Sequence, residues 1–156
     1  MSISIWWTGK TNSEYLRTGI EDYANRLSHF GKMELKEFRD IKGLKDPLQI
    51  ITAEEKELTF QLSKSKFYIV LLDEKGDMYN SRGFSKWLDH KLNSTNLKLC
   101  FIIGGPYGFS REFKEQANEH ISFSKMTVSH QLIRLIFLEQ LYRAFTIINH
   151  LPYHHE

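Results

Sequence analysis

Residues 99–144, LCFIIGGPYGFSREFKEQANEHISFSKMTVSHQLIRLIFLEQLYRA, decide how this chain is read. Residues 97–103, apolar but for Lys98, have the pattern of a strand covered on both faces, and they end in Gly104-Gly105-Pro106-Tyr107-Gly108. Glycines let backbone approach a small molecule closely, and open α/β sheets bind ligands beyond the carboxyl ends of their strands. Ser110 then caps a short helix to Ala117, residues 121–123 read as a brief strand, and the loop 122–127 offers Ser122, Ser124 and Thr127. The turn lacks the G-x-G-x-x-G spacing of a dinucleotide fingerprint, and no G-K-[ST] follows as in a Walker A loop. A tight turn needing positive φ, with hydroxyls bonding their own loop, explains the same residues without a ligand.

The segment closes in a helix expected from about 130 to 149. Its apolar residues, from Leu132 to Ile148, cover every side when set at 100° per residue, and a helix apolar all round is a buried one. In a domain of few layers its natural cover is a second copy of the chain. Glu139 and Arg143 stand i, i+4 in the favourable order for an ion pair, although Arg143 also suits a polyanion.

Working outward toward the N-terminus, residues 3–7 form a first strand, ended by Thr8-Gly9-Lys10. Asn12 or Ser13 caps a helix that stops near Gly31, and residues 33–38 alternate as a half-exposed strand with one irregularity. Pro47 opens a helix to about Ser63; residues 67–72 form a strand buried on both faces, broken by Asp73-Glu74-Lys75-Gly76-Asp77; Ser81 starts the next helix. Strands alternate with helices throughout, which predicts an α/β fold with a parallel sheet and helices on both faces, residues 1–156 forming one domain. If the strands ending at Leu72 and Ile103 are neighbours, their ends and the 122–128 loop surround one cleft.

Composition narrows the class. A net charge of +2 with seven histidines is too weak to argue nucleic-acid binding on charge alone. The single cysteine, Cys100, lies in an apolar run and reads as a small buried hydrophobe in a reducing compartment. The opening MSISIWWTGK has no basic lead, and no stretch reaches the roughly 18 uncharged apolar residues of a membrane helix, so a cytoplasmic protein with no membrane partner is expected. His150, His154 and His155 do not complete the held ligand set that zinc requires, and no metal is expected.

Three motifs, IIGGPYG at 102–108, SFSKMTVSHQLIRLIFLEQLYRA at 122–144 and PYHHE at 152–156, together resemble the bacterial large-subunit ribosomal RNA pseudouridine N3-methyltransferases of the SPOUT class. The resemblance spans essentially the whole chain. It implies a C-terminal trefoil knot, an exception to the rule against threaded chains, and S-adenosylmethionine as methyl donor. It implies a homodimer, acting on a pseudouridine in a stem-loop of 23S ribosomal RNA on the assembled ribosome. Carried onto matching positions, the cofactor contacts are Leu72, Gly104, Gly105, Gly108, Phe123, Ser124, Lys125, Met126, Thr127 and Val128. The chemistry needs a base for the N3 proton, so His154 is expected to be that base or to orient the acceptor, with Tyr153 stacking on the pyrimidine and Arg143 stabilising developing charge or holding a phosphate. Where the family usually carries Arg or Lys after the Tyr-His pair, this chain has His155, a titratable charge in place of a permanent one. Two other readings stand beside this one: a SPOUT enzyme acting on another RNA such as tRNA, and a non-catalytic ribosome-binding factor.

Overall fold

The computed structural model describes residues 2–155. Five strands and five helices alternate: β1 (Ser2–Thr8), α1 (Glu14–Leu27), β2 (Lys32–Phe38), α2 (Pro47–Leu62), β3 (Phe67–Met78), α3 (Ser81–Ser94), β4 (Lys98–Ile103), α4 (Arg111–Gln116), β5 (Glu119–Ser122) and α5 (Leu132–Ile148). The strands form one sheet in the order β2-β1-β4-β3-β5, and every neighbouring pair is parallel. The side-chain period of two divides the sheet cleanly. Ile3, Ile5, Trp7, Leu99, Phe101 and Ile103 point to one face, packed by α1, α3 and α5; Trp6, Cys100 and Ile102 point to the other, packed by α2 and α4. Cys100 is buried, as its neighbours dictate.

β4 lies between β1 and β3, buried on both sides, which is why its sequence after the exposed Lys98 is apolar from Leu99 to Ile103. β2 is an edge strand; Leu35 is 39% exposed there, so its apolar–polar alternation is only partly matched by burial. No irregularity interrupts the β1–β2 register from Ser2↔Lys32 to Thr8↔Phe38.

α3 starts at Ser81 as expected, and Asn80 caps it, its Oδ1 accepting the Gly83 N–H at 2.7 Å. Two other boundaries depart from expectation for local reasons. β5 begins two residues before the expected start, because Glu119 and His120 already pair with Val70 and Leu71. α5 starts at Leu132, whose N–H donates to Ser129 Oγ at 3.1 Å.

The largest departure is β3, which does not break at 73–77. Leu72 and Asp77 both pair with Ile121, so the strand leaves the ladder at 73–76 and returns to it. Ladder hydrogen bonds ask nothing of side-chain polarity, and Gly76 permits the return. A Cβ at Gly76 would stand 2.6 Å from the backbone C of His120 and N of Ile121.

Among the described residues no helix is long and apolar enough to cross a membrane.

Candidate active site

The carboxyl ends of β3, β4 and β5 open into a cleft of about 520 Å³, a volume usual for a small-molecule site. One wall is the β4–α4 turn. There Gly108 N–H donates to Gly105 O at 3.1 Å, Gly108 takes φ +71°, and Pro106 and Tyr107 sit at the tip. Gly105 is tightly held from beneath: a Cβ there would meet Glu54 Oε2 at 2.5 Å. The second wall is the β5–α5 loop, shaped by its own hydroxyls. Ser122 Oγ donates to Ser124 O at 2.9 Å, and Ser124 Oγ accepts the Met126 N–H at 2.9 Å. The excursion of β3 makes the third wall. Burial pushes the Asp73 carboxyl up, but bonds from Lys114 Nζ at 3.0 Å and the Lys75 N–H outweigh it and hold the group below the usual carboxylate range.

The expected contact residues converge on this cleft. Leu72, Gly104, Gly105, Gly108, Phe123, Ser124, Met126, Thr127 and Val128 all line it, whereas the exposed Lys125 does not. Lys125 lies on the loop between two residues that line the cleft, and it is itself exposed.

Arg143, Tyr153 and His154 gather elsewhere. Arg143 pairs with Glu139, its Nη1 lies 3.3 Å from His154 Nδ1, and its guanidinium covers the Tyr153 ring at 4.8 Å. The Tyr153 hydroxyl lies 3.0 Å from that of Tyr23 and donates to Glu139 Oε1 at 3.2 Å. Burial, then the bond to Tyr23, push the Tyr153 phenol up, so it stays protonated. Arg143 is ten residues beyond Ile133, the last cleft residue on α5, which is about 15 Å along the helix axis at 1.5 Å per residue. Within one chain, cleft and tail are separate clusters.

Two buried charges that no sequence pattern singled out support the cleft. Arg134 is 0% exposed. Its Nη2 donates to Thr8 O and its Nη1 to Thr11 Oγ1, both at 2.9 Å, and it lies 5.1 Å over the Trp7 ring. Burial lowers its pKa to about 10, which leaves it charged at neutral pH. Gln131 adds a second tie, donating to Lys10 O and accepting from Asn12 N–H. The exit of the β5–α5 loop is thus pinned to the β1–α1 loop. Glu54, 6% exposed, is the second buried charge; burial, then Glu55 and Asp40, raise its pKa to about 7. Arg134 is a lone charge in the apolar run 132–138 and Glu54 the first residue of the charged run 54–57, and neither pattern signals burial, so neither was legible in advance.

The residues present fit S-adenosylmethionine. The cleft is large enough, and it is lined by Gly104, Gly105 and Gly108 on one loop and by Ser122, Ser124 and Thr127 on the other, groups that offer backbone and hydroxyl contacts. Among the described residues no group of three or more His, Cys, Asp or Glu is placed to hold a metal.

Comparison with known proteins points the same way. Residues 1–154 match the family described as predicted SPOUT methyltransferase. A Parabacteroides distasonis protein named ribosomal RNA large subunit methyltransferase H is 46% identical over 157 aligned positions, covering 100% of both chains. A Geobacter sulfurreducens protein of the same name is 40% identical, covering 99% of this chain and 100% of its own. Among solved structures, a "probable methyltransferase" of Bordetella pertussis aligns with TM-score 0.53 at 11% identity, over 92% of this chain and 93% of that one. A "probable methylase family protein" of Haemophilus influenzae gives TM-score 0.53 at 11% identity, over 99% of this chain and 70% of that one. At such identities the structures speak for the fold alone.

Proposed function

The chain belongs to the SPOUT methyltransferase family, and from that premise we propose that it transfers a methyl group from S-adenosylmethionine to N3 of a pseudouridine in large-subunit ribosomal RNA. The observation that carries this reading is the convergence, in one cleft, of the glycine turn, the hydroxyl-bearing loop and Leu72. In this reading residues 1–156 act as one cytoplasmic catalytic domain with the C-terminal trefoil knot of its family, and the substrate is the assembled ribosome.

When bound, S-adenosylmethionine supplies an electrophilic methyl group. The chain's contribution is to position and to handle the proton. Gly104, Gly105 and the 123–128 loop hold the donor by backbone, with Ser124 and Thr127 able to add hydroxyl contacts. Alignment of an acceptor nitrogen with the methyl carbon accounts for much of the acceleration expected of such a site. His154 accepts the N3 proton as the pyrimidine oxygens gain charge, Arg143 stabilises that charge, and Tyr153 stacks on the base. Since these three side chains lie far from the cleft of their own chain, the active unit is a homodimer in which the tail of one copy meets the cleft of the other. The half-exposed apolar residues of α5 support this arrangement.

The test is transfer of labelled methyl to whole ribosomes, isolated large subunits and bulk tRNA from cells lacking the protein. Label confined to large-subunit RNA of whole ribosomes is the expected result; label in tRNA overturns the substrate, and no label overturns the activity. In the same assay His154→Ala is expected to bind donor normally and to lose about 10²- to 10⁴-fold in turnover. Normal turnover would remove His154 from the mechanism.

A further inference from the structure

Tyr107 stands at the tip of the β4–α4 turn, 49% exposed, on the rim of the cleft. Thirteen ring pairs bind most of the protein's aromatic residues to one another, but Tyr107 has no ring or cation partner among the described residues. Nor is it loosely held. Pro106 fixes the residue before it, and the Gly108–Gly105 bond closes the turn beneath it. Among the described residues the only other large exposed apolar side chain lining the cleft is Met126, 78% exposed, from the other loop. Lys75, exposed on the third wall, adds a positive charge at the same rim.

A rigid, solvent-facing ring with an adaptable thioether and a cation beside it suits a planar heteroaromatic group attached to phosphate. It does not suit the donor, which the buried Gly105 and half-buried Gly104 place deeper in the cleft. We propose that Tyr107 is a stacking platform for an unstacked base of the RNA substrate, so that it positions the strand over the cleft. The proposal rests on the methyltransferase reading above and adds to it a substrate contact supplied by the cleft's own chain. Because the turn ends in Gly108 and its tip faces solvent, the ring can be replaced without disturbing the core.

The experiment compares wild type with Tyr107→Ala, Tyr107→Leu and Tyr107→Phe. It measures kcat and KM for ribosomes, and separately the Kd for S-adenosylhomocysteine by calorimetry. Loss of base–aromatic stacking predicts that Ala and Leu raise the ribosome KM roughly 5- to 100-fold, that Phe restores it, and that the donor-product Kd is unchanged in all three. An unchanged KM in Tyr107→Ala overturns the proposal, as does full rescue by Leu, which would mean apolar cover in place of stacking. A weakened Kd with unchanged KM would make Tyr107 a lid on the donor and overturns it equally. In either of those cases wild-type transfer to the ribosome still stands; failure of wild type itself removes the parent reading and this one together.

Discussion

At the scale of single residues, the two buried charges beside the cleft behave in opposite ways. Arg134 donates through Nη2 and Nη1 to Thr8 and Thr11 and stays ionised; Glu54 sits against the Gly105 backbone with Glu55 and Asp40 near, and its pKa rises from 4.5 to about 7. A carboxyl whose folded pKa exceeds its unfolded value favours the folded state most at low pH. That advantage is complete below about 4.5 and is lost as pH rises through about 7. Glu54→Gln is therefore expected to leave stability unchanged near pH 4.5 and to raise it by about 1–2 kcal/mol at pH 8, after discounting for partial solvation. Urea denaturation at the two pH values checks this; equal gains at both would show that the carboxyl is not protonated in the folded state. Most of the cleft residues were legible in the sequence because they lie on two contiguous loops. Glu54 and Arg134 were not, since their burial depends on which elements become neighbours.

At the scale of elements, the parallel α/β order was legible from the apolar runs at 67–72 and 99–103, and Pro47 and Ser110 marked two helix starts correctly. What the sequence hid was the second half of β3. Residues DEKGD look like a loop, and they rejoin the sheet only because β5 offers backbone partners and Gly76 lets the chain pass close to His120 and Ile121. Gly76→Ala places a Cβ 2.6 Å from backbone that cannot swing aside, and is expected to cost about 1–3 kcal/mol. Since that excursion is one wall of the cleft, the same variant should bind S-adenosylhomocysteine more weakly, measured by calorimetry below its melting temperature. Unchanged stability would mean that the strand carries slack at this point. The separation of the tail cluster from the cleft was equally hidden: residue types suggested the roles of Arg143, Tyr153 and His154, but only the pitch of α5 sets them about 15 Å from Ile133.

At the scale of the whole molecule, α5 packs inward on the sheet through Phe137, Leu138, Leu141 and Phe145, between α1 and α3, and leaves Ile136 and Ile147 half-exposed and Leu132 exposed. If a second copy covers these residues, Ile136→Glu should shift the protein to monomer in sedimentation equilibrium and abolish methyl transfer while donor binding in the cleft persists. A monomeric wild type would instead require cleft and tail to meet within one chain. The position of α5 also bears on how the protein is made. A ribosome delivers the chain from its N-terminus, and β1 to β4 can be released with all their strand partners but one. The β5–α5 loop emerges later, and the helix that pins it to Thr8 and Thr11 emerges after the loop. The cleft is therefore completed only after α5 has been made, and a chain that stops short of Leu132 is expected to lack the donor site however much of its sheet has formed.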